Sequence, residues 1–336
     1  MVSVMEVVPC AVFGASASRR ALVRAPVDEF QAQLELANGR ASWVVCDGCG
    51  LVFQSPRPGP DAVSRMYLEG EYHETRGGVP DYYIDYSLRR SRDAIAWGLS
   101  QPTLRNTSGR ALDIGAGIGG ALVYLRERGW DVRGVEPDPY LSAFGRERFD
   151  VDIVDGFFDK TTFASGTTFD LAYSCHVWEH LSDPMATASA ARALLGPKGH
   201  LLIVVPTFRQ SRTLAWSCFG SPHTYMFTDV SLGNLLGLAG FEVLAHRYVS
   251  ANDSELWMLA RATPSPLPPG DITRDRPETV QRELATVPLR IPLGVPRRLA
   301  SHIRVLREDP AGFAGRAGRV LRNRARRASA ALRRRP

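Results

Sequence analysis

The stretch Ala111-Leu112-Asp113-Ile114-Gly115-Ala116-Gly117-Ile118-Gly119, followed by Gly134-Val135-Glu136 at the end of the next apolar run, decides the fold. Leu112 and Ile114 read as a short buried strand. The glycines let backbone approach a ligand closely, and a helix beginning within Ala121 to Arg128 would turn its N-terminal N–H groups toward that ligand. Glu136 stands where a second strand would carry a carboxylate. Its distance from Gly117, about 20 residues, is what a strand-helix-strand unit needs if the acid is to reach ribose hydroxyls.

Gly115, Gly117 and Gly120 also satisfy the dinucleotide pattern G-x-G-x-x-G, a weak signal alone. Asp113 separates the readings, because an acid two residues before the first glycine repels a pyrophosphate and suits a cationic amino-acid headgroup. With that acid the loop has the form acid-x-Gly-x-Gly-x-Gly at Asp113, Gly115, Gly117 and Gly119. On these residues the chain resembles the class I S-adenosylmethionine-dependent methyltransferases. The resemblance implies S-adenosylmethionine as cofactor, held by Asp113, Gly115, Ala116, Gly117, Gly119, Glu136, Pro137 and His176. An NAD(P)-dependent oxidoreductase is the alternative enzyme, disfavoured by Asp113. A non-catalytic cofactor-binding regulator tethered by a basic tail is the non-enzymatic one.

The order of elements over residues 95–262 supports the same family. Phe169 to Ser174 reads as a fourth strand, with Cys175-His176-Val177-Trp178-Glu179-His180-Leu181 as the loop and helix after it. Ala188 to Leu195 continues as a helix that stops at the breaker cluster Gly196-Pro197-Lys198-Gly199, and His200 to Pro206 is a buried strand. Gly240 to Tyr248 and Glu255 to Ala262 look like a closing pair. The expected fold is α/β, a doubly wound Rossmann-like sheet, mostly parallel with one antiparallel edge strand.

Ahead of this domain, Cys46-Asp47-Gly48-Cys49 has zinc-knuckle spacing, and Cys10 supplies a third thiol. The region, with Leu51-Val52-Phe53-Gln54-Ser55-Pro56-Arg57-Pro58 and Tyr67, Tyr72, Tyr82 and Tyr83 after it, resembles the small zinc ribbon that precedes some sugar C-methyltransferases. The resemblance implies a structural zinc on Cys10, Cys46 and Cys49. Phe13 stands where a fourth cysteine belongs, which leaves both a zinc-bound ribbon and a metal-free one open. Packed over a cleft, the ribbon and the tyrosine segment would form a lid, with Tyr82, Tyr83 and Tyr86 as candidate contacts.

Methyl transfer is an in-line displacement, so a base is needed only where the acceptor must lose a proton. His180 is one candidate base. His223, in Ser221-Pro222-His223-Thr224-Tyr225-Met226-Phe227-Thr228, is the other, because that segment resembles the family's His-x-x-x-Phe-Thr loop beside the acceptor. The expected acceptor is a small molecule or saccharide, or a lipid-linked form of one.

The 336 residues, 44% apolar, exceed a typical single domain. Neither a membrane span nor a secretory signal is read, since Glu6 and Pro9 interrupt the apolar start; the expected location is cytoplasmic, with contact at the inner membrane surface. The organisation expected is a degenerate zinc-ribbon-like segment (1–60), a tyrosine-rich helical connector or lid (61–94), the methyltransferase domain (95–262), a Pro-rich linker (263–289) and an Arg-rich tail (290–336). The tail carries fourteen arginines against Glu308 and Asp309, about +12, so with a whole-chain charge of +6 the rest is about −6 and the basic balance is a property of the tail. Phe313, Ala317, Val320, Leu321, Ala328 and Leu332 recur near helical spacing, the pattern of an interfacial helix at an anionic membrane; a solvated disordered tail is the plainer reading. Nucleic acid is not an expected partner, because no aromatic interleaving or known module accompanies the arginines.

Overall fold

The computed structural model describes residues 5–14, 19–26, 40–69, 75, 78–79, 81–210, 223–249 and 254–285. Tyr72, Cys218 and the Arg-rich tail, with the interfacial-helix reading that rests on it, lie outside the described residues.

The centre is a seven-stranded sheet. In chain order its strands are β6 (Arg110–Ile114), β7 (Asp131–Glu136), β8 (Asp152–Asp155), β9 (Phe169–Cys175), β10 (Leu195–Pro206), β12 (Phe241–Val249) and β13 (Glu255–Ala262). In space they run β12-β13-β10-β9-β6-β7-β8. The β6–β7, β7–β8, β6–β9 and β9–β10 pairings are parallel, while β13 runs antiparallel to both β10 and β12. The sheet is thus the mostly parallel, doubly wound one expected. One detail differs: the reversed strand β13 lies one place in from the edge, because β12 occupies the edge and the chain doubles back between it and β10. The breaker cluster Gly196–Gly199 is absorbed as an irregularity in register between Leu195 and His200.

Both faces of the sheet are covered, and alternate residues of one strand serve opposite layers. Leu201, Ile203 and Val205 of β10 join one core cluster, with Ala188 and Ala191 of helix Pro184–Leu194 and Leu232, Leu235 and Leu236 of helix Asp229–Leu238. Leu202 and Val204 join the other, with Ala94 and Ile95 of helix Asp81–Ser100 and Ala121 and Leu125 of helix Gly120–Arg126. Local chemistry sets the helix starts. Asp138 and Asp183 each precede a proline and accept N–H bonds from the first turn, at 2.9 Å from Tyr140 and 2.9 Å from Ala186. Thr228 and Ser231 form a reciprocal capping box.

The N-terminal region forms β1 (Met5–Glu6), β2 (Arg19–Pro26), β3 (Arg40–Cys46), β4 (Val52–Gln54) and β5 (Arg57–Pro58). A second, antiparallel sheet has the order β11-β4-β3-β2, and β11 (Tyr225–Met226) comes from far along the chain. Tyr225 pairs with Phe53 and Met226 with Val52. Cys10, Cys46, Cys49, Leu51 and Phe53 belong to the same core cluster as Trp178 and Phe227, so the ribbon is continuous with the main core.

Residues 263–289 were expected as a linker, and 277–285 of them form a helix. Pro277 occupies its first turn and Val280 and Leu284, one turn apart, are buried. Arg209 fastens this region: it donates at 2.8 Å to each of Glu283, Asp229 and Asp275.

Candidate functional site

A cleft of about 620 Å³ opens at the carboxyl ends of β6, β7 and β9, where an open α/β sheet places its ligands. Asp113, Gly115, Ala116, Gly117, Glu136, Pro137, His176, His180 and His223 all line it. Gly119 does not. A Cβ there would lie 2.8 Å from Val151, so that glycine serves the packing of the loop against β8.

Gly115, at φ +78°, sits so close to Val177 that any Cβ would collide with it. Its N–H and that of Ala116 donate to the Val135 carbonyl at 2.9 and 3.0 Å, stitching the loop to β7. The Gly117 N–H then donates to Glu136 Oε2 at 2.7 Å, and the Asp138 N–H to Oε1 at 2.9 Å. These two bonds fix the carboxylate while it still faces the cleft. Burial nevertheless pushes Glu136 up to about 7, and burial beside Glu136 raises Asp113 well above the usual carboxylate range. Two desolvated carboxylates favour a ligand that brings hydroxyl donors and a positive charge, and an approaching pyrophosphate would meet them with repulsion.

His176 has a left-handed backbone, φ +57°. Its Nδ1 lies 3.0 Å from Glu179 and its Nε2 3.2 Å from Glu255, with the Arg90 guanidinium packed against both His176 and Glu255. Burial and Arg90 act to lower the imidazole pKa; the carboxylates of Glu179 and Glu255 overcome them and hold it above the ordinary value. Arg90 and Glu255 are not singled out by the sequence, whereas Tyr67 belongs to its tyrosine segment. Arg90 lies on a helix with no local signal, whereas Glu255 opens a strand that is apolar from Leu256 to Ala260, and that carboxylate was the available clue.

The end of the cleft that carries His180 and His223 is built around Glu179, which is fully buried. His180 Nε2 is 3.7 Å from its carboxylate, and the His180 and His223 rings are 4.7 Å apart. Burial acts to raise the Glu179 carboxyl, but His176, His180 and His223 outweigh it and hold the group near 2. The segment bearing His223 is fixed by the Thr224 N–H, which donates to the Glu179 carbonyl at 2.6 Å. Tyr67, Tyr83, Tyr86 and Phe157 complete the aromatic wall.

Away from the cleft, Cys10, Cys46 and Cys49 converge with their sulfurs within 4.8 Å of one another, Cys10 to Cys49 at 3.5 Å. Among the described residues no fourth ligand joins them. Phe13 fills that side, packing its ring where a Cβ on Gly48 would stand. The thiols suit three corners of a tetrahedral zinc site.

A family model described as a methyltransferase domain matches residues 82–246. That segment holds the five strands β6 to β10, most of β12, and the glycine loop that follows β6. Comparison of the sequence with curated proteins finds no match. Among solved structures, the chain is similar to the 1,6-didemethyltoxoflavin-N1-methyltransferase of Burkholderia thailandensis, with 22% identity, 63% of this chain and 96% of that one covered, and a TM-score of 0.47. It is also similar to the glycopeptide N-methyltransferase MtfA (16%, 52% and 94%, 0.41) and to an S-adenosylmethionine-dependent methyltransferase of Clostridium acetobutylicum (11%, 52% and 92%, 0.42). No helix among the described residues is long and apolar enough to cross a membrane.

Proposed function

We propose that the protein transfers a methyl group from S-adenosylmethionine to a small-molecule or saccharide acceptor. One observation carries the reading: Asp113, the Gly115–Gly117 loop and Glu136 share a single cleft with His180 and His223. Glu136, held by two backbone N–H groups, would accept from the ribose hydroxyls, and Asp113 would face the positively charged end of the amino-acid moiety. When bound, the cofactor supplies a methyl carried on a sulfonium, which departs as a neutral thioether.

The chain's own part is placement and proton handling. The aromatic wall and the buried loop exclude water, and in-line alignment supplies most of the rate. His180 and His223 are the candidate groups for handling a proton that an acceptor hydroxyl would give up. The test is calorimetric titration with S-adenosylhomocysteine and, separately, with NADH, followed by an acceptor screen with labelled methyl donor. Micromolar binding of the former alone supports the reading; binding of NADH alone overturns it.

A further inference from the structure

We propose that Glu179, His180 and His223 form a divalent-cation site at the acceptor end of the cleft. One carboxylate oxygen and one imidazole nitrogen from each histidine lie within 4.8 Å of one another. Small side-chain rotations close that spacing to the roughly 3 Å separations set by metal–ligand bonds of about 2.0–2.2 Å.

Glu179 is the anchor. Its side chain is 1% exposed and both carboxylate oxygens are buried, with His176 Nδ1 at 3.0 Å and His180 Nε2 at 3.7 Å as their nearest ionic partners. A desolvated carboxylate of this kind is costly unless a cation meets it. His176 supports it from the side, 3.0 Å away through Nδ1 while Nε2 faces Glu255, which is the outer-shell pattern that orients a ligating carboxylate. His180 and His223 remain on the cleft side, facing the same space. The backbone is fixed by the Thr224 N–H and hydroxyl, which both donate to the Glu179 carbonyl.

Two imidazoles and one carboxylate select a borderline or hard divalent ion such as Zn²⁺, Mn²⁺ or Fe²⁺, in contrast to the all-sulfur cluster of Cys10, Cys46 and Cys49. Three protein ligands leave coordination positions open to the cleft, as in catalytic rather than structural sites. An acceptor hydroxyl bound there would lose its proton at lower pH and present a fixed oxygen toward the methyl group. The use of the ion rests on the methyl-transfer reading; the binding of the ion does not.

The experiment titrates chelator-treated full-length protein with Mn²⁺ alone, read by loss of the free-ion paramagnetic resonance signal. Mn²⁺ is chosen because thiols compete poorly for it. Wild type is expected to take up one equivalent, and His223→Ala and His180→Asn to bind at least tenfold more weakly while keeping the wild-type melting temperature. Equal uptake by all three proteins, or none by wild type, overturns the site. S-adenosylhomocysteine titration of the same samples separates the two readings: cofactor binding without Mn²⁺ uptake removes the metal alone, and the reverse removes the cofactor alone.

Discussion

The backbone N–H of Gln54 donates to the carbonyl of Thr224 at 2.8 Å, joining the N-terminal ribbon to the residue beside His223. The neighbouring pairs Phe53–Tyr225 and Val52–Met226 extend this into a strand pairing. The N-terminal sheet therefore sets the position of a cleft histidine from outside the seven-stranded sheet. Gln54→Pro, which deletes this one donor, is expected to keep S-adenosylhomocysteine affinity and lower methyl transfer by up to about 100-fold, the scale for a small misplacement at the reacting centre. Parallel calorimetry and labelled-methyl assays check it; equal loss of both would refute the division of labour.

Glu136→Ala should weaken S-adenosylhomocysteine binding by roughly 1–3 kcal/mol, the range for losing hydrogen bonds to a charged group. Calorimetry on the folded variant is the check, and unchanged affinity would remove Glu136 from the cofactor site.

The same carboxylate makes binding pH-dependent. Its ionised form accepts ribose hydroxyls, and burial has moved its pKa up to about 7, so below that pH the free protein holds a proton that binding must expel. Affinity should rise about tenfold from pH 6 to pH 8. Asp113, raised by burial and by Glu136, acts in the same direction. Asp138 and Asp155 are the other charges bearing on Glu136. Glu136→Gln should flatten most of the slope, measured by calorimetry in two buffers of different ionisation heat.

Arg209→Met removes the cation shared by Asp229, Asp275 and Glu283. Asp275 is left buried without its counter-ion, whereas Glu283 and Asp229 are partly solvated and lose less. The expected cost is on the order of 3 kcal/mol, read by chemical denaturation. Stability equal to wild type would mean that the clamp contributes only position.

The glycine loop, its acid and the order of the strands were legible in the sequence because each is a local pattern: apolar period, breakers and a fixed spacing to Glu136. The place of β13 inside the edge was not, since both closing strands read alike and only pairing distinguishes them. Gly119 belongs to the loop's pattern but packs against Val151, because repetition of a residue type does not say which way a backbone faces. Arg90 reaches the cleft through tertiary packing alone. The helix at Pro277–Ala285 was hidden by the prolines ahead of it, although Val280 and Leu284 had the right spacing.

Strand β11 has a further meaning for how the chain is made. A ribosome releases Val52–Gln54 long before Tyr225–Met226, so the newborn ribbon must wait with a bare strand edge, a surface prone to wrong partners. Completion of the amino-terminal sheet thus reports that synthesis has passed β10, and the part of the cleft that carries His223 is assembled late.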